Sequence, residues 1–189
     1  MTTPYRIAIL VGSLRKASYN RRVAVAMSAL APSSLTFEFV EIGDLPLYNE
    51  DLDTDGAVPA AWSRFRDAVR PVDGVLFFTP EYNRSVPGVL KNAIDVGSRP
   101  YGKSVWSKKA GAVVSVATGG IGGMGANHAL RQSMVFLDVP MMQQPEAYIG
   151  HAAKLFADSG DVAGDDTKKF FRTVIDAYAA WVATIVGAR

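Results

Sequence analysis

The sequence contains no cysteine and only two histidines, His128 and His151. That excludes a disulfide framework and thiolate chemistry. No Cys or His-x-His spacing accompanies the histidines, so no metal site is expected. Long apolar runs are also missing. None reaches the ~20 residues of a bilayer-spanning helix, and Met1-Thr-Thr-Pro-Tyr5 is too polar and short for a signal peptide. A cytoplasmic protein with no membrane partner is the expectation. Charge of one sign is scarce, with 20 Lys and Arg against 18 Asp and Glu, a net charge of +2 spread along the chain. There is no basic arm and no base-reading motif, so nucleic acid is not an expected partner. No Ser-His-acid arrangement is legible either.

What is present is the balance of an ordinary globule: 189 residues with 49% hydrophobic and 20% charged side chains. This length fits one domain over residues 1–189. Strand-like apolar runs alternate with helix-length segments. Arg6–Val11, Leu35–Ile42, Gly74–Thr79, Ala110–Val116 and Met141–Gln144 read as five strands. In the second, Phe37, Phe39 and Glu41 share one side. Between strands, Val23, Met27 and Leu30 mark one helical face, and Trp62, Phe65 and Val69 a second. A third helix starts at Pro87 and stops near Gly97, and a fourth covers 125–137. The last joins Phe170, Phe171, Val174, Tyr178, Trp181, Val182 and Ile185 on one face, capped by Asp165-Asp-Thr167. Residues 43–58 read as a long loop. The pattern predicts an α/β fold: a three-layer, doubly wound, five-stranded parallel sheet in the order 2-1-3-4-5. Sites in such sheets lie beyond the carboxyl ends of the strands where the order reverses.

That rule gathers the loops after strands one, three and four. The first is Val11-Gly-Ser-Leu-Arg-Lys-Ala-Ser-Tyr-Asn20, a strand that empties into a helix N-terminus. Unpaired N–H groups and the helix dipole attract an anion there. Gly12 permits a tight turn, Ser13, Ser18 and Asn20 are short and polar, and Arg15, Lys16, Arg21 and Arg22 bring charge. The plainer reading has Ser18 as an N-cap with the basic residues facing water. This loop contains neither G-x-x-x-x-G-K-[ST] nor G-x-G-x-x-G, which counts against ATP chemistry and the usual dinucleotide site. The second loop, Thr79–Gly88, is stiffened by Pro80 and Pro87 and carries Tyr82, a flat ring at the crevice. The third has four glycines between Gly119 and Gly123, allowing close backbone approach. Phosphate at one end and a flat, polar-edged ring at the other describe FMN.

Three segments carry a specific resemblance: Gly12-Ser-Leu-Arg15 with Ser18 and Asn20, Pro80-Glu-Tyr-Asn83, and Ser85-Val-Pro-Gly-Val-Leu-Lys-Asn-Ala-Ile-Asp95. Together they resemble the NAD(P)H-dependent FMN reductase family, flavodoxin-like proteins that include quinone and chromate reductases. The resemblance implies FMN as cofactor and NAD(P)H as co-substrate. It assigns the phosphate to Ser13, Arg15, Ser18 and Asn20, with Gly12 also a cofactor-binding residue, and the isoalloxazine to Pro80, Glu81, Tyr82 and Asn83 on one edge with Thr118 and Gly119 on the other. It also implies a homodimer through the helices after strands three and four. Some members join dimers into homotetramers with an Arg and a Tyr that Met124–Ala129 lacks. Relatives often carry Trp at the place of Val96 and a hydroxyl at that of Ala117.

The expected activity is hydride transfer from nicotinamide through FMN to a small acceptor, a quinone, flavin or metal oxyanion or chelate, by ping-pong turnover. The flavin carries the chemistry, so no catalytic side chain is required. Glu81 reads as a hydrogen-bonding or subunit-contact residue. Arg84, Arg99 and Lys103 beside Tyr101 are either solvated charge or an anion-attracting set at the ring mouth. An electron-carrying flavodoxin would share fold and cofactor, but its usual strongly acidic surface is not present. A phospho-acceptor signalling domain needs acids where this chain has Gly12-Ser13 and Pro80-Glu81, and that reading fails.

Overall fold

The computed structural model describes residues 3–54 and 56–188. Met1 and Thr2 of the polar N-terminal stretch, and Asp55 of the long loop, lie outside the described residues. Strands β1 (Tyr5–Val11), β2 (Leu35–Phe39), β3 (Gly74–Thr79), β4 (Ala110–Val116) and β5 (Ala147–Ile149) form one parallel sheet in the order β2-β1-β3-β4-β5. Helices α1 (Tyr19–Leu30), α2 (Ala60–Val69), α3 (Gly88–Gly97), α4 (Met124–Phe136) and α5 (Asp165–Gly187) alternate with them. The doubly wound architecture and strand order are those the sequence predicts.

The central strands are apolar on both sides because helices cover both. Ile7, Ile9 and Val11 join the layer of α1 and α5, while Ala8 and Leu10 join that of α2, α3 and α4. In the second strand Phe37 and Phe39 do share the α1 face, but Glu41 is exposed, and pairing along the strand stops at Phe39. On α1 the buried stripe is Asn20, Val23, Ala24 and Met27. An asparagine therefore heads an otherwise apolar face.

The fifth strand is where the structure departs most from expectation. Met141 forms only an isolated parallel bridge with Gly111. The ladder resumes at Ala147–Ile149 beside Val114–Val116. Pro145 intervenes, and a proline has no N–H to give to a ladder, so the strand forms after it. Two details of α5 also differ. Its N-cap is Gly164 with no side-chain cap, leaving Asp165 and Asp166 in the first turn, where they complement the dipole. Phe170 is exposed while Phe171, Val174, Ile175, Tyr178 and Val182 form the buried stripe. By length and composition alone α5 could cross a membrane, with a mean hydropathy of 1.2. In this protein the stripe packs on the sheet, Tyr178 Oη donating to Ala110 O at 3.0 Å.

Residues 43–54 and 56–58 form a loop containing a short 3₁₀ turn at Glu50–Leu52, fastened by α2 and α3. Asn92 Oδ1 accepts from Tyr48 N at 2.9 Å, and its Nδ2 donates to Leu45 O and Pro46 O. Trp62 Nε1 also donates to Pro46 O. Arg66 forms a bidentate pair with Asp53 at 2.8 and 2.7 Å, its Nε donating to Val96 O. The two side chains are only 7% and 3% exposed. Removing one partner of such a pair strands the other charge away from water. Asp53→Ala should therefore lower stability by about 3–5 kcal/mol. Urea unfolding checks this, and a loss below about 1 kcal/mol, the worth of a surface pair, contradicts it.

Candidate functional site

The register sets Val11 beside Phe78 and Phe78 beside Val114. The loops after β1, β3 and β4 consequently leave the sheet at one rim, where the strand order reverses. Gly12 lets the first of them pass, since a Cβ there would stand 3.1 Å from Leu90 Cδ2 and 3.3 Å from Pro80 Cδ. α1 begins at the same rim because Ser18 caps it, its Oγ accepting from Arg21 N at 3.3 Å.

A cavity of about 210 Å³ opens between these segments. Ser13, Arg15, Tyr19 and Asn20 form one wall, Pro80, Glu81 and Tyr82 a second, and Val116, Ala117 and Thr118 a third. Seven of the eleven residues that the resemblance assigns to the cofactor thus meet here. Tyr19, absent from the sequence-based set, belongs with them; its only signal was its place directly after the cap. Gly12, Ser18, Asn83 and Gly119 lie outside the wall. Gly12 N donates to Phe78 O at 2.8 Å, and Gly119 O accepts from His151 N and Gly122 N. Ser18 serves as the helix cap, in agreement with the plainer reading.

The charge is more local than the sequence implies. Arg15 is the wall's cation, its Nη2 donating to Ala17 O and its guanidinium 5.6 Å from the Tyr19 ring centroid. Arg21 pairs with Glu41 at 3.2 Å, and Arg22 lies 4.1 Å over the Phe156 ring. Arg22 and Lys16 line a wider groove of about 640 Å³ along the outer side of α1.

Asn20 is 4% exposed; its Nδ2 donates to Val116 O at 3.3 Å, and its Oδ1 has no hydrogen-bond partner among the described residues. A buried acceptor left without a donor costs about 1–3 kcal/mol. The cavity therefore offers N–H groups of a helix start, a guanidinium, an orphaned acceptor and a tyrosine ring. A phosphate, a polyol and a flat heterocycle complement that set, and FMN carries all three.

The second loop is a tight hairpin. Tyr82 and Ser85 exchange backbone hydrogen bonds of 3.2 and 3.1 Å, and Asn83 and Arg84 between them have φ of 52° and 66°. This is the two-residue turn with both central residues left-handed. Asn-Arg is an unusual pair for it, which is why the sequence reads only as a rigid loop. The turn holds the half-exposed Tyr82 at the rim, and Arg84 is exposed beside it.

Glu81 joins this hairpin to α4. Its Oε2 accepts from Ala126 N at 3.1 Å and its Oε1 lies 3.5 Å from Arg84 Nη1. The carboxylate thereby fills the anion-attracting N-terminus of α4. This explains a motif that the sequence reading passed over. Gly120-Ile-Gly-Gly-Met-Gly125 has the spacing G-x-G-x-x-G after a strand and before a helix. Its glycines serve packing instead: a Cβ at Gly122 would lie 2.5 Å from the Tyr148 carbonyl carbon, and one at Gly125 would lie 2.9 Å from Glu81 Oε2.

Arg99 and Tyr101 are not at the rim of their own chain. They follow the C-terminus of α3, which starts at the rim and runs about 15 Å away from it, and they share a shallow pocket with Phe136 and Asp138 at the far end of α4. Of the residues expected together at the ring mouth, Arg84 stands on the rim hairpin, and Arg99 and Tyr101 lie apart from it. Closeness in sequence to a rim helix says nothing about which end of that helix a residue follows.

The profile of the NADPH-dependent FMN reductase family matches residues 5–154. A quinone reductase of Pseudomonas putida is 64% identical over 182 residues, covering 96% of this chain and 97% of that protein. A 2-hydroxy-1,4-benzoquinone reductase from a Burkholderia species is 47% identical, covering 94% and 96%. Among solved structures, FerB from Paracoccus denitrificans, a flavoenzyme NAD(P)H:(acceptor) oxidoreductase, superposes with a TM-score of 0.89 at 40% identity, covering 95% and 98%. The chain belongs to the NADPH-dependent FMN reductase family, an oxidoreductase with FMN as its cofactor and NAD(P)H as its reductant.

Proposed function

We propose that residues 1–189 act as a single FMN-binding domain that reduces quinones at the expense of NAD(P)H. The observation that carries this reading is the convergence of three loops on one cavity whose walls match phosphate, polyol and ring in turn. The names of the similar reductases support the choice of a quinone over a metal oxyanion. So does the local surface, because Tyr82, Ile121 and Met124 are exposed on the rim loops and at the start of α4, an apolar collar suited to a flat, weakly polar acceptor.

Bound FMN supplies a ring that accepts a hydride and passes its electrons on. The chain's own residues bind and orient. Ser13, Arg15 and the first-turn N–H groups of α1 hold the phosphate. Pro80, Tyr82 and Asn83 would border one edge of the ring, and Thr118 and Gly119 the other. Backbone donors of these loops would oppose the negative charge that a bound flavin gains on reduction. Arg84 draws an anionic group of the nucleotide or acceptor toward the mouth. With FMN held there, nicotinamide and acceptor would enter the same site in succession, and ping-pong kinetics would follow. A homodimer is the working form: α4 leaves Met124, Val135 and Phe136 exposed, the latter two at 78% and 76%, a face that a second copy would cover.

FMN-loaded protein should oxidise NADH or NADPH with benzoquinones and give parallel double-reciprocal lines. Failure to oxidise either nucleotide with any quinone defeats the proposal, and intersecting lines defeat the ping-pong order. Glu81 is a brace rather than an acid. Glu81→Gln keeps an acceptor for Ala126 N and should hold kcat within about threefold, whereas Glu81→Ala should lower stability by roughly 1 kcal/mol. Loss of turnover in the Gln variant with an unchanged Tm would make Glu81 a proton donor instead. Sedimentation should find the dimer, and Phe136→Glu should release monomer.

A further inference from the structure

We propose that the groove along the outer side of α1 is a second ligand site. It takes a free amphipathic carboxylate, with the head at the cationic end and the alkyl chain laid along the helix. The reductase reading gives this groove no task. α1 stands between it and the cofactor cavity, and no residue lines both.

Both walls of the groove are ordered structure. On α1, Val25, Ala26, Ala29 and Leu30 form an apolar strip. The two alanines leave depth, and Val25 is 52% exposed. Opposite stands a small hairpin that precedes α5, closed by the Phe156–Val162 bridge and by Ala157 N donating to Asp161 O at 2.9 Å. Phe156 and Val162 line the groove from that side. The space between the walls, about 640 Å³, is of the size that holds a small molecule.

Charge precedes the apolar strip along α1, since Lys16, Arg21 and Arg22 come before Val25. Lys168 of α5 adds a fourth cation to the lining, against one acid, Asp161. Arg21 is spent on Glu41, and Lys168 stands 3.9 Å from Asp165. Lys16 and Arg22 have no carboxylate partner among the described residues. Arg22 lies over the Phe156 ring, which uses its charge but leaves it N–H groups for an acceptor. Asp161 is engaged within its own hairpin, Ser159 Oγ donating to its Oδ2 at 2.8 Å. The balance at this end favours an anion.

These two halves define the occupant. Arg22 to Ala29 spans about 10 Å along the helix axis, the reach of a medium-length alkyl chain. A neutral hydrophobe would leave both cations unmet, and a cationic one would be repelled. A polyphosphate would set charge against the apolar strip. A carboxylate with an alkyl tail suits both halves, through a charge-assisted hydrogen bond from Arg22 or Lys16 and through buried methylenes.

Calorimetric titration of the FMN-loaded protein with decanoate, kept below its micelle-forming concentration, tests the site. Binding should be saturable, and affinity should rise about twofold to fourfold per methylene from hexanoate to decanoate. Decanol should bind about tenfold weaker, the worth of one charge-assisted hydrogen bond. Decyltrimethylammonium should not compete. Ala29→Phe fills the apolar end, and Val25→Glu sets a carboxylate in it; both positions are exposed on the helix, so the fold tolerates the changes. Each should weaken decanoate about tenfold or more and leave the flavin spectrum and FMN affinity unchanged. Absence of saturable binding up to about 1 mM decanoate, or equal affinity for decanol, overturns the proposal. Full affinity in both variants does the same. So does displacement of decanoate by excess FMN, which would put it in the cofactor cavity. Capture of the protein by phosphatidylglycerol vesicles without decanoate binding would make this face a membrane contact, and the proposal would fall.

Discussion

Parallel pairing that holds Val11, Phe78 and Val114 abreast is the constraint on which the rest of the molecule depends. Strands of one direction that end level must release their loops on one side, and right-handed crossovers send α1 to the opposite layer from α3. A crevice is left between those layers that no side chain of the core can fill. Its walls are loop backbone and helix start, which are rich in unpaired donors. The apolar sheet beneath supplies rigidity, with Ile9, Leu10, Leu76 and Phe77 almost wholly removed from water.

Much of what looks like ligand chemistry around this crevice is in fact scaffolding. Ser18 is used as a cap, Glu81 fills the start of α4, and Arg21 is neutralised by Glu41. Asn92, in the segment that carries the family resemblance, spends all of its amide on the loop that precedes α2. Each of these groups holds a loop or helix end in position, so that a small number of others remain free to meet a cofactor. Arg15 and Asn20 are those others. One brings a charge to the cavity wall, and the other an acceptor without a partner among the described residues.

Sequence reasoning reached the fold class, the strand order and the three loops because each has a strong local signal. Gly74–Thr79 reads as a buried strand, and Gly12-Ser13 after an apolar run reads as a turn. It misplaced β5 by taking the apolar Met141–Met142 pair for pairing, where Pro145 delays the ladder to Ala147. It passed over Tyr19 as an ordinary helix residue. It read Arg99 and Tyr101 into the mouth, because the direction of α3 was not carried through to its end.

Composition and periodicity alone determined that this chain folds as a doubly wound sheet with an anion-attracting first turn. Those features arise from neighbours within a few residues, where backbone sterics and burial of alternate side chains decide the outcome. Only the tertiary structure decided which polar atoms of the motifs remain unspent. Whether Asn20 Oδ1 is free depends on a carbonyl 96 positions away at Val116, and whether the α4 terminus can take an anion depends on Glu81, 45 positions before it. Hydrogen bonds between such distant segments form only once the strands have set them side by side, so their use is invisible in a linear pattern.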